Sequence, residues 1–445
     1  MLLLKTDSRE INLIELTGSA YVHIPFCRRR CFYCDFAVSV VGDRPPIARA
    51  DGLPAEPLNG SNSGTIAHYV DVLCQEIRCT TTAGRTLDTV FFGGGTPSLL
   101  SVEQLSRILS TLEQQFGIAA GAEISMEIDP GTFDRLQLQG YRAAGVNRVS
   151  IGVQAFQTEL LQACGRSHTV DDVYTAVALV QQAEFEHFSL DLISGLPHQT
   201  PAHWQESLDA AIALAPTHLS CYDLTIEPVT AFGRQYKPGM QPLPSDEATA
   251  AMYRTAQQRL TAAGYHHYEI SNYAKPGYQC RHNRVYWENR SFYGFGMGAT
   301  SYLEGKRLSR PRKTREYYEW VEERIVEERL KAKGLRLKDG QAKSLNVSFD
   351  ASDLLLDTLM LGLRLAEGLS LAALTKQFGR ETLERVWQCL QPFHARGWVV
   401  IATDQNGAGE RSPETPPNAG RLQLTDPEGF LFSNVILVSL FETFD

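Results

Sequence analysis

Three cysteines, Cys27, Cys31 and Cys34, stand in one short segment, Ala20-Tyr21-Val22-His23-Ile24-Pro25-Phe26-Cys27-Arg28-Arg29-Arg30-Cys31-Phe32-Tyr33-Cys34. A Cys-x3-Cys-x2-Cys loop can give three thiolates to a cubane iron–sulfur cluster. One iron then has no protein ligand and is open to an exchangeable small molecule. The competing chemistry is a zinc site with His23 as fourth ligand, but structural zinc favours paired cysteine knuckles over this spacing. Arg28, Arg29 and Arg30 can lower the thiol pKa values and offset cluster charge, or form a solvated turn; their residue types leave both readings open.

A second group begins at Val90-Phe91-Phe92-Gly93-Gly94-Gly95-Thr96-Pro97, where glycines replace an apolar run. Without Cβ atoms, such a turn can bring main-chain N–H and C=O groups against a ligand, although a tight strand-to-helix turn asks for the same residues. Three further polar residues, Glu127, Gln154 and Asp191, break apolar runs at their carboxyl ends. Asp129-Pro130 reads as a helix cap before Phe133.

The elements that must hold these residues alternate. Strand candidates Ala20–Ile24, Leu87–Phe92, Glu123–Ile128, Arg148–Val153, Phe188–Ile193 and Leu219–Leu224 are interleaved with helix candidates His68–Arg78, Val102–Gln115, Phe133–Ala144, Val170–Ala183, Ala202–Ala213 and Asp246–Ala263. Repeated βα units force parallel strands with right-handed crossovers, as an open doubly wound sheet or a full or partial TIM-like barrel. In either, the carboxyl ends of the strands converge on one ligand, so the cysteine loop, the glycine turn, Glu127, Gln154 and Asp191 would line one mouth.

Two stretches, 41–65 and 405–420, are rich in Pro, Gly, Asn or Ser and read as surface insertions. Beyond Tyr302 the pattern changes to charged helices over 315–331, 350–366 and 372–396. Strands at 398–401 and 421–424 and a helix over 428–441 follow. The expected division is an N-terminal segment 1–18, a domain over 19–302 and a smaller helical, winged-helix-like domain over 303–445. The 445-residue chain is 43% hydrophobic with a net charge of −9, which argues against wrapping nucleic acid. No apolar run of about 18 to 20 residues occurs and only Met1 to Leu4 precede charged residues, so the expectation is a cytoplasmic protein. Nine cysteines in such a chain read as ligands or buried thiols, not as a disulfide framework.

Together, the cysteine loop, Gly-Gly-Gly-Thr-Pro, the Glu127 segment and Gly152-Val153-Gln154-Ala155-Phe156 resemble the radical S-adenosylmethionine (SAM) family over residues 20–300. Tyr21-Val22-His23-Ile24-Pro25-Phe26-Cys27, Arg166 and Asp191-Leu192-Ile193-Ser194-Gly195-Leu196-Pro197 are similar to its oxygen-independent coproporphyrinogen III oxidase-like branch. The resemblance implies a partial TIM-like (β/α)6 barrel and a four-iron four-sulfur (4Fe-4S) cluster on Cys27, Cys31 and Cys34. It also implies SAM against Tyr21, Tyr33, Gly94, Gly95, Thr96, Glu127, Gln154, Arg166 and Asp191. In that family an electron from the cluster cleaves the sulfonium bond and yields a 5′-deoxyadenosyl radical.

Two departures bear on the activity. The oxidases carry a further cysteine two places after the third ligand, where this chain has Phe36, and a longer segment before the cluster loop. Both differences resemble the haem-chaperone branch, as does His282-Asn283-Arg284-Val285-Tyr286-Trp287, a motif associated there with haem. The resemblance implies haem near His282, Asn283, Tyr286 and Trp287, with His266, His267 and Cys280 as competing ligands. The residue types alone favour a hydrogen-bonded packing histidine. Expected partners are haem, SAM and a haem-acceptor protein, by analogy a membrane respiratory enzyme, with a homodimer left open. The alternatives are a radical SAM oxidase acting on a porphyrin precursor and an enzyme acting on an unrelated substrate.

Overall fold

A computed structural model describes residues 17–42, 60–82, 84–332, 346–348, 351–402, 416 and 419–444. Most of both expected insertions, and residues 1–16 of the N-terminal segment, lie outside the described residues.

Six parallel strands form the centre: β1 (Ser19–Ile24), β2 (Leu87–Gly94), β3 (Ile118–Ile128), β4 (Arg148–Gln154), β5 (His187–Ser194) and β6 (His218–Asp223). They pair in chain order, β1 to β6. The helices α1 (Gly64–Cys79), α2 (Val102–Phe116), α3 (Arg135–Ala143), α4 (Val170–Gln182), α5 (Pro201–Ala213) and α6 (Asp246–Ala262) follow the strands in turn. Side-chain caps mark where they start: Ser101 and Thr169 close capping boxes with Gln104 and Asp172, and Thr200 precedes Pro201 at the first helical turn. The partial (β/α)6 architecture implied by the family resemblance, which the alternation alone did not single out, is the one observed.

Three shorter strands complete a nine-stranded sheet that the alternation did not announce. A hairpin of β7 (His266–Glu269) and β8 (Asn272–Ala274) runs antiparallel beyond β6, and β9 (Tyr293–Phe295) adds a parallel strand outside β1. The sheet therefore has two edges, and α7 (Arg281–Trp287) lies on the chain that connects them. Glu123 of β3 holds the start of α7, accepting the backbone N–H of Arg281 (3.1 Å) and of His282 (2.9 Å).

The hydrophobic clusters divide farther along the chain than residue 302. Tyr317 and Val321 of α8 (Thr314–Ala332) pack in the barrel's own cluster. Buried Glu76 of α1 ties the region together, pairing with Arg310 (2.8 Å) and accepting from Tyr317 Oη (2.7 Å) and Gly296 N–H (2.8 Å). A second cluster begins at Leu355 and runs to Leu440. The helix expected over 372–396 is two helices, Leu371–Phe378 and Arg380–Ala395. They break at Gly379, whose φ of 87° a Cβ-bearing residue resists. The helix expected over 428–441 divides likewise into Glu428–Leu431 and Ser433–Phe444. The expected pair of strands, Val399–Ala402 and Arg421–Leu424, gains a third, Leu369–Ser370.

Candidate functional site

The cysteine loop leaves β1 and is fixed by backbone bonds to three parts of the barrel. Phe32 N–H donates to Cys164 O (3.0 Å), Phe232 N–H to Phe32 O (2.9 Å), and Val41 N–H to Cys27 O (2.9 Å). Arg30 Nε donates to Cys34 O (3.2 Å) and Arg30 Nη2 to Phe36 O (3.2 Å), so this arginine shapes the turn. The loop borders a cavity of about 400 Å³ at the carboxyl ends of the strands, lined by Cys27, Cys31, Tyr33, Cys34, Gly94, Gly95, Thr96, Glu127, Gln154, Arg166 and Asp191. All nine cysteines are free thiols. Burial, then the charge of Asp129, pushes Cys27 up to about 12, against a hydrogen bond from Thr96. Burial also raises Cys34. Thiols so placed favour a partner that takes the thiolate charge. Among the described residues, no three His, Cys, Asp or Glu side chains converge as a single-ion site requires.

Of the two readings of the glycine turn, the tight strand-to-helix turn describes its amides. Gly94 N–H donates to Glu127 Oε2 (3.0 Å), Gly95 N–H to Ile24 O (2.8 Å) and Thr96 N–H to Phe26 O (2.7 Å), so all three amides are engaged within the protein. The absent Cβ matters instead for packing: at Gly95 it would lie 2.7 Å from Phe26 O and 2.8 Å from Ile24 O. The glycines seat β2 against the strand that carries the cysteines.

Glu127 stands near the end of β3; burial first, then the charge of Asp191, raises its carboxyl to about 8, against the Gly94 N–H bond. Gln154, last in β4, has φ of 71°, at a register shift between β4 and β5. A non-glycine residue held there at a cavity wall is backbone strain at a candidate site. Asp191 sits inside β5, deeper than the expected carboxyl end, and accepts from Ser150 (2.8 Å to each oxygen) and Ser189 (3.3 Å). Arg166 donates to Asp129 (2.6 Å), to Gly152 O (2.8 Å) and, from Nη1, to Cys31 Sγ (3.6 Å), while its buried Nε has no hydrogen-bond partner.

Tyr21 does not line this cavity. It borders a smaller inner one, about 210 Å³, which shares Phe36, Gly94, Glu127, Ser150, Asp191 and Tyr222 with the outer cavity. His23 Nε2–H donates to Ala37 O (2.9 Å), so Nδ1 accepts from Tyr21 Oη (2.9 Å); neither nitrogen is open to a metal.

The residues expected near haem are not brought together in an open space. Asn283 and Tyr286 border the inner cavity, Trp287 faces the Arg364 guanidinium 6.0 Å from its ring, and His282 is fully buried. Both His282 nitrogens are engaged, with Thr89 Oγ1 and Tyr286 Oη at 2.8 Å each, and its ring stacks on Phe91. Burial, then Arg290, lowers it to about 3. His267 is also buried, against Asp426 (2.8 Å) and stacked on Tyr273. Cys280 is buried beside Glu123 (3.5 Å).

Sequence reasoning missed Asp129 as a cavity residue. It pairs with Arg166, whereas α3 takes Asp134 as its cap. It also missed Ser150, Tyr222, Asp223 and Glu227 on the cavity wall. Asp223, last in β6, follows the same rule as Gln154 and was open to the same argument.

The sequence profile of the Radical SAM superfamily matches residues 21–211, and that of the HemN C-terminal domain matches 349–405. The chain is 45% identical to a heme chaperone HemW of Synechocystis sp., across 95% of this chain and 96% of that protein. It is 34% identical to a heme chaperone HemW of Bacillus subtilis, across 81% and 87%. The chain belongs to the HemW family of radical SAM proteins. Its fold is similar to that of coproporphyrinogen III oxidase (HemN) from Escherichia coli, with a TM-score of 0.72 over 96% of this chain and 90% of that one, at 23% identity. Radical SAM membership implies a 4Fe-4S cluster and SAM, and the donor set fits: three free thiols border one cavity, with the unpartnered Arg166 Nε also buried in the region. Among the described residues no helix is long and apolar enough to cross a membrane.

Proposed function

We propose that the chain is a cytoplasmic haem chaperone of the HemW type, which binds haem together with a 4Fe-4S cluster and SAM and passes haem to an acceptor protein. The observation that carries this reading is the 45% identity to a heme chaperone HemW over nearly the whole of both chains. Cys27, Cys31 and Cys34 hold the cluster, and Tyr33, Gly94, Gly95, Thr96, Glu127, Gln154, Arg166 and Asp191 surround SAM, with Tyr21 behind them. When bound, the cluster supplies an electron and SAM a cleavable sulfonium bond.

The chain's own residues bind and orient. Arg166, held by Asp129, presents a cation beside Cys31, suited to a carboxylate. In its protonated form, Glu127 can donate its hydroxyl hydrogen to a ligand acceptor while its other oxygen keeps the Gly94 amide. Tyr33, packed near Phe232 at 6.5 Å between ring centroids, borders the same cavity as the cysteines.

The competing reading, an oxygen-independent coproporphyrinogen III oxidase, is separated by an anaerobic assay of the reconstituted protein. Supplied with coproporphyrinogen III, SAM and a reductant, it should form no protoporphyrinogen, while the same preparation takes up haem. Product without haem uptake would return the chain to the oxidases.

A further inference from the structure

Two neighbouring cavities that share part of their lining stand at the barrel mouth. The inner cavity, about 210 Å³, is smaller than the roughly 300–1,000 Å³ of small-ligand pockets. The outer one, about 400 Å³, is bordered by the residues assigned to SAM and suits one nucleoside-sized ligand. His282 offers no alternative, since its ring is buried and both nitrogens are engaged. The rim of the outer cavity is the surface beside the SAM residues on which a flat macrocycle can lie.

One sector of that rim is unusual. Phe36, two residues beyond Cys34, is 57% exposed although it borders both cavities, and Val38 borders the outer one beside it. Exposed at the mouth, the Phe36 ring offers a flat apolar face on which a planar ligand can stack. Arg29 and Arg30 are exposed on the same loop and border the same cavity. Acidic cavity residues come from the end of β6 (Asp223), from the segment after it (Glu227) and from the loop itself (Asp35). An apolar face flanked by two guanidinium groups, in a chain of net charge −9, is complementary to a planar amphiphile with carboxylate arms.

We propose that the tetrapyrrole of the haem reading lies on this rim, one ring face against Phe36 and Val38 and its carboxylates toward Arg29 and Arg30. The inference rests on that reading and gives it a location. Phe36 is then a binding residue, which gives a role to the phenylalanine standing where the oxidases carry a cysteine. Arg30 also holds the loop through Cys34 O and Phe36 O.

The test is an anaerobic absorbance titration of cluster-loaded protein with haem and with haem dimethyl ester, whose carboxylates are blocked. Wild type should prefer haem. Phe36→Ala should weaken haem about tenfold, equivalent to ~1.4 kcal/mol, and Phe36→Trp should restore it. Arg29→Gln should weaken haem and shrink its advantage over the ester. Cluster content measured on each variant controls for loop integrity. If Phe36→Ala and Arg29→Gln both bind haem as wild type does, the rim site is wrong while the haem reading stands. If wild type takes up no haem, the haem reading itself fails, and the rim site with it.

Discussion

At the scale of single residues, the site combines groups whose roles were open to sequence reasoning with others fixed by distant contacts. Glu127 and Gln154 could be picked out because parallel strands bring their carboxyl ends to one mouth. Asp129 could not, because an aspartate before proline carries the same signal whether it caps a helix or pairs with Arg166. His282 was equally opaque: its partner Thr89 lies 193 residues earlier, on β2, so only the fold shows both nitrogens to be engaged. Replacing His282 with Ala leaves the Thr89 and Tyr286 hydroxyls unpaired around a new cavity. Urea unfolding should register a loss of about 2–4 kcal/mol. Glu127 gives a pH signature. Its folded carboxyl is raised to about 8 from an ordinary 4.5, so the folded chain holds the proton more tightly than the unfolded one. The stability this confers is fully present below about pH 4.5 and is lost as pH rises through about 8. The loss should be at most about 5 kcal/mol, at ~1.4 kcal/mol per pH unit. Glu127→Gln, which copies the neutral form, should flatten that fall in denaturation curves of the cluster-free protein taken from pH 5 to 8.5.

Among the elements, the barrel strands and helices were legible because apolar runs of strand length recur between capped amphipathic stretches, as Ser101-x-x-Gln104 and Thr169-x-x-Asp172 show. The edge strands β7, β8 and β9 were not, since three or four residues carry no readable period. The glycine turn was recognised as a place of close approach, but not what approaches: the neighbour is the backbone that carries the cysteines. Gly95→Ala should therefore act on the cluster. Its Cβ, 2.7 Å from Phe26 O, must push the end of β2 away from the cysteine loop. We expect the iron content after reconstitution to fall severalfold with far-ultraviolet circular dichroism unchanged; full iron loading of the variant would refute this role.

For the whole molecule, the described residues of the C-terminal unit dock on the hairpin and α7 and do not border the cavities. Ile270 N–H donates to Arg364 O (3.0 Å), Ala366 N–H to Tyr268 O (3.0 Å), and Arg284 pairs with Glu367. No described residue beyond Tyr286 borders either cavity. Beyond residue 302, α8 still packs on the barrel's cluster through Tyr317, Tyr318, Trp320, Val321 and Ile325, although charged residues dominate its sequence. Ending the chain after residue 348 should leave cluster content unchanged and SAM affinity within about twofold, as expected for a remote unit; equilibrium dialysis with labelled SAM checks this. The central claim, that this radical SAM barrel carries haem, is tested most directly by titrating the anaerobic, cluster-loaded full chain with haem and following the absorbance. The account predicts saturation at one haem per chain, retained through gel filtration. A featureless, non-saturating titration, with all haem lost on the column, would contradict it.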